Sequence, residues 1–407
     1  MNVAILGFGV VGSGVAEVIT GNCDSIMKNS NVSLSVKKIL DIRDFEGNPF
    51  EALMTKNFED IVNDGDIDIV VETMGGVNPA FDFVSRCLAK GKHVVSSNKE
   101  LVATRGFELL EIARKNNVNF LFEASVGGGI PIIRPISRCL AGNRISEIAG
   151  ILNGTSNFIL TKMITEGMSF DSALRLAQEL GYAEKDPTAD VEGLDAMRKI
   201  CILASLAFGN HVYPEGVYAE GISKLSLSDV AFADNAGCVI KLIARTKKFD
   251  CGKILVMVSP CLISKDSMLA GVNDVFNACL VRGDATGDVL MYGKGAGKLA
   301  TASAVVGDVI DCAANSENRK FFGWDDEIKG NLVSHLEAET ALYVRAEASE
   351  NAEKLIAASF GEVQYLRAEG TENEIAFITA KEKEALIREK LDKTGLKILN
   401  TVRLADY

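Results

Sequence analysis

Asn2-Val3-Ala4-Ile5-Leu6-Gly7-Phe8-Gly9-Val10-Val11-Gly12 decides how the first third of this chain is read. A short apolar run suited to a buried strand leads into glycines spaced G-x-G-x-x-G, and a helix-compatible stretch follows directly. In that strand–turn–helix context the first glycine permits a tight turn and the second lets backbone approach a pyrophosphate. The third lets the helix lie close on the strand, while the helix N-terminus offers amides and a positive dipole end to the anion. Gly7, Phe8, Gly9, Val10, Val11 and Gly12 are therefore expected to bind a dinucleotide, the plain alternative being a structural turn.

The next strand-like run ends in Asp41-Ile42-Arg43. An acid at that position bonds a ribose hydroxyl and favours NAD, whereas an arginine accommodates the 2′-phosphate of NADP. Asp41 lies further from Gly12 than the roughly 20 residues usual for that acid. Both residue types are present, so NAD or NADP remains open, and a surface ion pair is a third reading.

Outward from this motif, NVAILGF, VKKILDI, DIVVETM, HVVSSN and FLFEAS read as successive strands. Helical patterns at Pro79–Lys90 and Lys99–Lys115 lie between them, the rhythm of a parallel sheet wound with helices. The fold class is thus α/β, with a Rossmann-type domain over residues 1–130 that is completed by about 300–320. Residues 131–300 read as a mixed α/β domain: a strand near Ile145–Leu152, helices near Asn157–Glu166, Asp171–Leu180 and Val191–Phe208, then KILVMVSPCLI, NACLVRGD and GDVLMYGKGAG as strands. A helix from Thr301 to about Asn315 follows. Residues 333–407 have the order βαββαβ and read as a separate ferredoxin-like module.

Composition bounds the partners. With 43 basic and 55 acidic residues the net charge is -12, which argues against binding to nucleic acid or an anionic membrane. No apolar run reaches the roughly 20 residues of a membrane span, and the N-terminus lacks a secretory pattern. Nine scattered cysteines without a CxxC spacing suggest core thiols in a reducing compartment. A cytoplasmic location is expected.

The chemistry concentrates in residues 177–199, AQELGYAEKDPTADVEGLDAMRK. Asp195 and Lys199 are four apart, hence on one helical face. An exposed ion pair is the ordinary reading of such spacing. Here, however, the helix continues as ICILASLAF, and Ile202 and Leu203 project beside the charged pair rather than opposite it. A charged pair on a helix apolar nearly all round is either buried or lines a cleft, and buried ion pairs are poor stabilisers, so function gains weight.

This run, A-x3-G-Y-A-x2-D-P-x2-D-V-x-G-x-D-x3-K, resembles the signature of the homoserine dehydrogenase family. GFGVVGSGV at the N-terminus, VVETMGG at 70–76, SSNKE at 96–100, EASVGGGIPII at 123–133, GILNGTSNFIL at 150–160 and GKGAGKLATASAVVGD at 293–308 agree with it, in order, over residues 1–320. The resemblance implies interconversion of L-homoserine and L-aspartate 4-semialdehyde with NAD or NADP, in threonine and methionine biosynthesis. It implies Lys199 as acid/base, with Glu184, Asp195 and Asp190 as substrate-binding residues. Lys99 is a second catalytic candidate that adds positive charge near nicotinamide and substrate. Thr73 and Ser97 occupy strand-end positions like that of Lys99 and are expected to contact the cofactor, while Gly181 and Gly297 match family positions where backbone approaches the nicotinamide half. A monovalent cation, sodium or potassium, is implied at Glu123, Val126, Gly128 and Ile130, where a plain glycine turn is the alternative. A homodimer through the middle domain is implied as well.

A lysine suits the reaction, because reducing an aldehyde needs a proton on the developing alkoxide, and an ammonium stabilises that charge and delivers the proton. Many family members carry a C-terminal ACT module that senses threonine. Residues 333–407 have its element order, but Ser349-Glu350-Asn351-Ala352 stands where a Pro-Gly-Val turn is usual. Two rivals are a thioester-forming semialdehyde dehydrogenase, for which no cysteine lies beside a histidine, and a non-catalytic dinucleotide-sensing regulator, which could dispense with Glu184, Asp195 and Lys199.

Overall fold

The computed structural model describes all residues from Met1 to Tyr407 and falls into two compact units. The first comprises Met1–Arg144, Cys201–Glu215 and Gly293–Ile328. Its six parallel strands stand in the order Met54–Thr55, Ser35–Leu40, Asn2–Leu6, Ile69–Glu72, His93–Ser96, Phe120–Leu121. This is the doubly wound 3-2-1-4-5-6 arrangement, which puts ligands outside the carboxyl ends of the strands. The central strands carry the apolar runs VAIL, IVV and VV because both their faces are covered, and Val3, Ile5, Val70 and Val94 are fully buried.

Helix Lys298–Ala314 closes this unit against helix Val10–Gly21. The contact is close because Gly14 has no side chain: a Cβ there would stand 2.9 Å from the Lys298 carbonyl oxygen and 3.1 Å from Ala302 Cβ. The helix starts three residues earlier than its sequence pattern suggests, with Gly297 at its N-cap. The sixth strand, by contrast, is shorter than FLFEAS and gives way to a 3-10 turn at Glu123–Ser125. There the buried Glu123 carboxylate accepts from the amides of Ile132 (2.6 Å), Ile133 (2.8 Å) and Arg134 (2.7 Å), which ties residues past 130 into this unit. Residues 201–215 are held through His211, whose Nε2 lies 2.9 Å from the Ala103 oxygen while Nδ1 accepts from Trp324 Nε1 at 3.0 Å.

The second unit comprises Ile145–Ile200, Gly216–Tyr292 and Lys329–Tyr407. Its main sheet runs Gly287–Lys294, Phe276–Gly283, Ile145–Ile151, Cys238–Lys248, Ile254–Ser264, Ile398–Leu404, Leu342–Glu347, Glu374–Ile378, Gln364–Leu366. The long helix expected at Val191–Phe208 is two helices, Thr188–Val191 and Leu194–Phe208. They part at Gly193, whose φ of 77° is open to glycine and strained for other residues.

The C-terminal segment has the expected βαββαβ order, with its four strands side by side as fourth, first, third, second. It is not set apart. Ile398–Leu404 pairs in parallel with Ile254–Ser264 through Cys261↔Arg403 and Leu262↔Leu404, so one sheet runs through the whole second unit. Two buried ionic clusters fix the junction. Asp229 accepts from Tyr343 Oη (3.0 Å), Arg345 Nε (2.8 Å), Asn400 Nδ2 (3.0 Å) and the Ser226 amide (2.9 Å). Arg403 meets Glu384 through Nε and Nη2, both at 2.7 Å, and reaches Glu220 with Nη1. No helix of the chain is long and apolar enough to cross a membrane.

Candidate active site

In the second unit, strand Ile145–Ile151 runs into helix Gly154–Glu166 through Leu152 and Asn153. Lys199 reaches that junction from helix Leu194–Phe208, its Nζ donating to the Leu152 carbonyl at 2.7 Å and to Asp195 Oδ2 at 2.7 Å. Lys199 is 8% and Asp195 3% exposed, so the pair is buried, not a solvated surface bridge. Asn153 Nδ2 donates to the same Asp195 oxygen at 2.9 Å and to Asp190 Oδ1 at 2.6 Å. Glu184 is exposed, on the turn after Gly181. The turn is pinned where Thr155 Oγ1 donates to the Tyr182 carbonyl at 2.6 Å. Asp190, Asp195 and Lys199 thus belong to one hydrogen-bonded group, with Glu184 outside it.

In the first unit a cleft of about 510 Å³ opens along the carboxyl edge of the sheet, lined by Gly7, Gly9, Asp41, Arg43, Lys56 and Thr73 among others. The three glycines divide their work as the motif requires. Gly7 turns the chain with φ of 92°. A Cβ on Gly9 would meet nothing within 4 Å, leaving room for a pyrophosphate, whereas one on Gly12 would stand 1.9 Å from the Gly7 oxygen. These residues fit a dinucleotide.

Phe8, expected in the binding loop, turns its ring into the core against Phe45 and Phe50 and gives the site only its backbone. Its amide donates to Asp41 Oδ2 at 2.7 Å. Arg43 holds the other side of that carboxylate, with Nε 3.0 Å from Oδ1 and Nη2 2.9 Å from Oδ2, and keeps Asp41 well below the usual carboxylate range. Val10 projects outward, and Val11 packs against the core.

Thr73 braces the glycine turn: its hydroxyl lies 2.9 Å from the Gly7 oxygen and 3.1 Å from that of Leu6. Ser97 follows the fifth strand through a backbone bond to the Glu72 carbonyl and is absent from the cleft lining. Lys99 opens helix Lys99–Lys115, which Asn98 caps by accepting from the Leu101 amide at 3.1 Å. Gly297 caps its own helix with φ of 128°.

The glycine turn proposed for a cation follows Glu123. That carboxylate is taken up by three backbone amides, so it is not a free ligand. Val126, Gly128 and Ile130 follow it in a buried turn. Gly128 packs tightly, since a Cβ would lie 2.2 Å from the Gly295 oxygen.

Two family models match this chain, the homoserine dehydrogenase NAD-binding domain over residues 7–123 and the homoserine dehydrogenase domain over 131–310. A homoserine dehydrogenase of Synechocystis sp. is 48% identical over 316 residues, covering 76% of this chain and 73% of its own. The chain belongs to the homoserine dehydrogenase family. The enzyme of that name from Neisseria gonorrhoeae is 40% identical over 406 residues, 98% of this chain and 91% of the other, so the likeness extends through the C-terminal segment. Among solved structures, the homoserine dehydrogenase of Thiobacillus denitrificans superposes with a TM-score of 0.91 at 36% identity, covering 100% of this chain and 98% of that one. A hyperthermophilic archaeal homoserine dehydrogenase in complex with NADPH matches at 30% identity and a TM-score of 0.65, over 77% of this chain and 98% of its own. These findings favour the enzyme over a non-catalytic dinucleotide sensor.

Residue-by-residue reading missed Asn153, the Leu152 carbonyl and Glu72. Glu72 is fully buried, and burial raises its carboxyl above the usual range. It gathers the Met74 amide (2.8 Å) and Ser96 Oγ (2.6 Å). Asn98 Nδ2, at 2.6 Å from the Gly76 oxygen, joins the two loops that Glu72 organises. The signal was available: a carboxylate inside the apolar run IVVET needs buried donors.

Proposed function

We propose that the chain is an NAD(P)-dependent oxidoreductase interconverting L-homoserine and L-aspartate 4-semialdehyde, with Lys199 as the acid/base. Bound nicotinamide dinucleotide supplies or accepts the hydride. In the reducing direction the Lys199 ammonium protonates the developing alkoxide, and in the oxidising direction the neutral amine takes the hydroxyl proton. The observation that carries this reading is the buried Lys199–Asp195 pair, because a desolvated ion pair stabilises a fold poorly and is better explained by chemistry.

Asp195, Asp190 and Glu184 serve as acceptors for the substrate's ammonium and hydroxyl groups. Lys99 adds positive charge at the carboxyl rim of the parallel sheet. Gly7, Gly9 and the helix start at Val10 hold the pyrophosphate, with Asp41 and Arg43 at the ribose. Thr73, Ser97, Gly181 and Gly297 shape the backbone around the cofactor. A sodium or potassium ion at the Glu123–Ile130 turn, a homodimer and a cytoplasmic setting complete the proposal. Steady-state oxidation of L-homoserine with NAD and with NADP, followed by nicotinamide absorbance, tests it. Turnover with either cofactor is expected, and none with both at several pH values would refute it.

A further inference from the structure

We propose that Asn153 is a positioning residue that sets the pH at which Lys199 exchanges its proton, acting through Asp195. This rests on the assignment of Lys199 as the acid/base. Asn153 occupies the N-cap of helix Gly154–Glu166, and its Oδ1 accepts from the Ser156 amide at 2.8 Å. A carbonyl oxygen must sit at that cap, so the orientation of the side-chain amide is fixed by the backbone and not by a choice of flip. The NH2 group is thereby aimed at Asp190 Oδ1 and Asp195 Oδ2, at 2.6 and 2.9 Å.

The consequence is that Asp195 Oδ2 serves two donors, one neutral and one charged, at 2.9 and 2.7 Å. The amide satisfies part of the carboxylate's charge without adding charge of its own. The anion facing the Lys199 ammonium is correspondingly weaker, and the ammonium releases its proton more readily than it would beside an unshared carboxylate. The same amide separates two like charges, Asp190 and Asp195, that belong to different helices. An aspartate would satisfy the cap equally well, since Asn and Asp cap helices with similar preference. Only the amide also donates to both carboxylates.

Two substitutions separate this role from a structural one. Asn153→Asp keeps the cap and places a third carboxylate in the group, while Asn153→Ser keeps a cap and removes both amide donors. The measurement is kcat/KM for L-homoserine oxidation against pH, with melting temperature and dinucleotide affinity measured alongside. We expect the ascending limb to move to higher pH, by about one unit in Asn153→Asp and less in Asn153→Ser, that is, up to about a tenfold loss on the limb. Rates should recover at alkaline pH, and dinucleotide affinity should not change. An upward shift in either variant supports the proposal. A limb that stays put or moves down in both overturns it, whatever the loss in rate. Lys199→Met assayed in parallel keeps the outcomes apart, because full activity in that variant would refute the lysine mechanism, whereas an inactive Lys199→Met with unshifted Asn153 variants would refute this proposal alone.

Discussion

Asp195 and Lys199 stand one helical turn apart, and the oxygen that binds the ammonium at 2.7 Å belongs to a carboxylate that is itself almost wholly buried. The helix beside them leaves little water to screen the pair, since Ala196 and Ile200, each next in sequence to a member of the pair, are buried too. Such an arrangement makes the proton on Lys199 sensitive to every neighbouring dipole, which is what an acid/base needs.

The glycine turn offers a clean dissection. Gly12→Ala drives a Cβ against the Gly7 oxygen and within 2.8 Å of Thr73 Oγ1, so it should lower the melting temperature and abolish dinucleotide binding together. Gly9→Ala meets nothing and should leave the melting temperature unchanged while weakening dinucleotide binding at least tenfold, roughly the cost of 1.4 kcal/mol. Differential scanning fluorimetry beside a fluorescence titration reads both. Equal effects of the two substitutions on stability would contradict the division of roles.

Asp308 links stability to pH. Burial pushes its carboxyl up to about 7, against the partial relief given by the Glu123 amide at 2.8 Å and by Arg134 at 2.7 Å. The folded state therefore holds this proton more tightly than the unfolded chain. The stabilisation is full below the unfolded value near 3.9 and is lost as pH rises through about 7. Asp308→Asn removes that dependence. Between about pH 5 and pH 8 the parent's Tm should fall more than the variant's, and parallel curves would show that Asp308 does not titrate there.

The C-terminal segment is expected to behave as part of the second unit. Asp229→Ala leaves Arg345 with only Glu374, at 2.8 Å, and strands Tyr343 Oη, so it should cost about 3–5 kcal/mol in chemical denaturation of the whole chain. A loss below about 1 kcal/mol would mean the junction is loose.

Most of the parallel sheet was legible because its central strands carry short apolar runs and the glycine motif follows the first of them, whereas Met54–Thr55, only two residues long, carries no strand pattern of its own. Helix Lys99–Lys115 has its sequence bounds, and the uncharged run after Lys199, projecting beside the Asp195/Lys199 pair, already pointed to a pair that is buried or lines a cleft. What sequence hid has physical causes. Gly193 sits inside a pattern that is helical on both sides, and only the backbone angle reveals the break. Nothing local marks Leu262 and Leu404 as neighbours, so the C-terminal strands read as a module apart. Phe8 lies inside a binding motif yet serves the core. Asn153 has an ordinary capping role, and its second role depends on Asp190 and Asp195, 37 and 42 residues away.

The most direct measurement is the turnover of L-homoserine by Lys199→Met, read as nicotinamide absorbance beside a titration of dinucleotide affinity. The account expects turnover to fall by roughly 10²- to 10⁴-fold, with dinucleotide affinity unchanged. Turnover within a few-fold of the parent chain would contradict it.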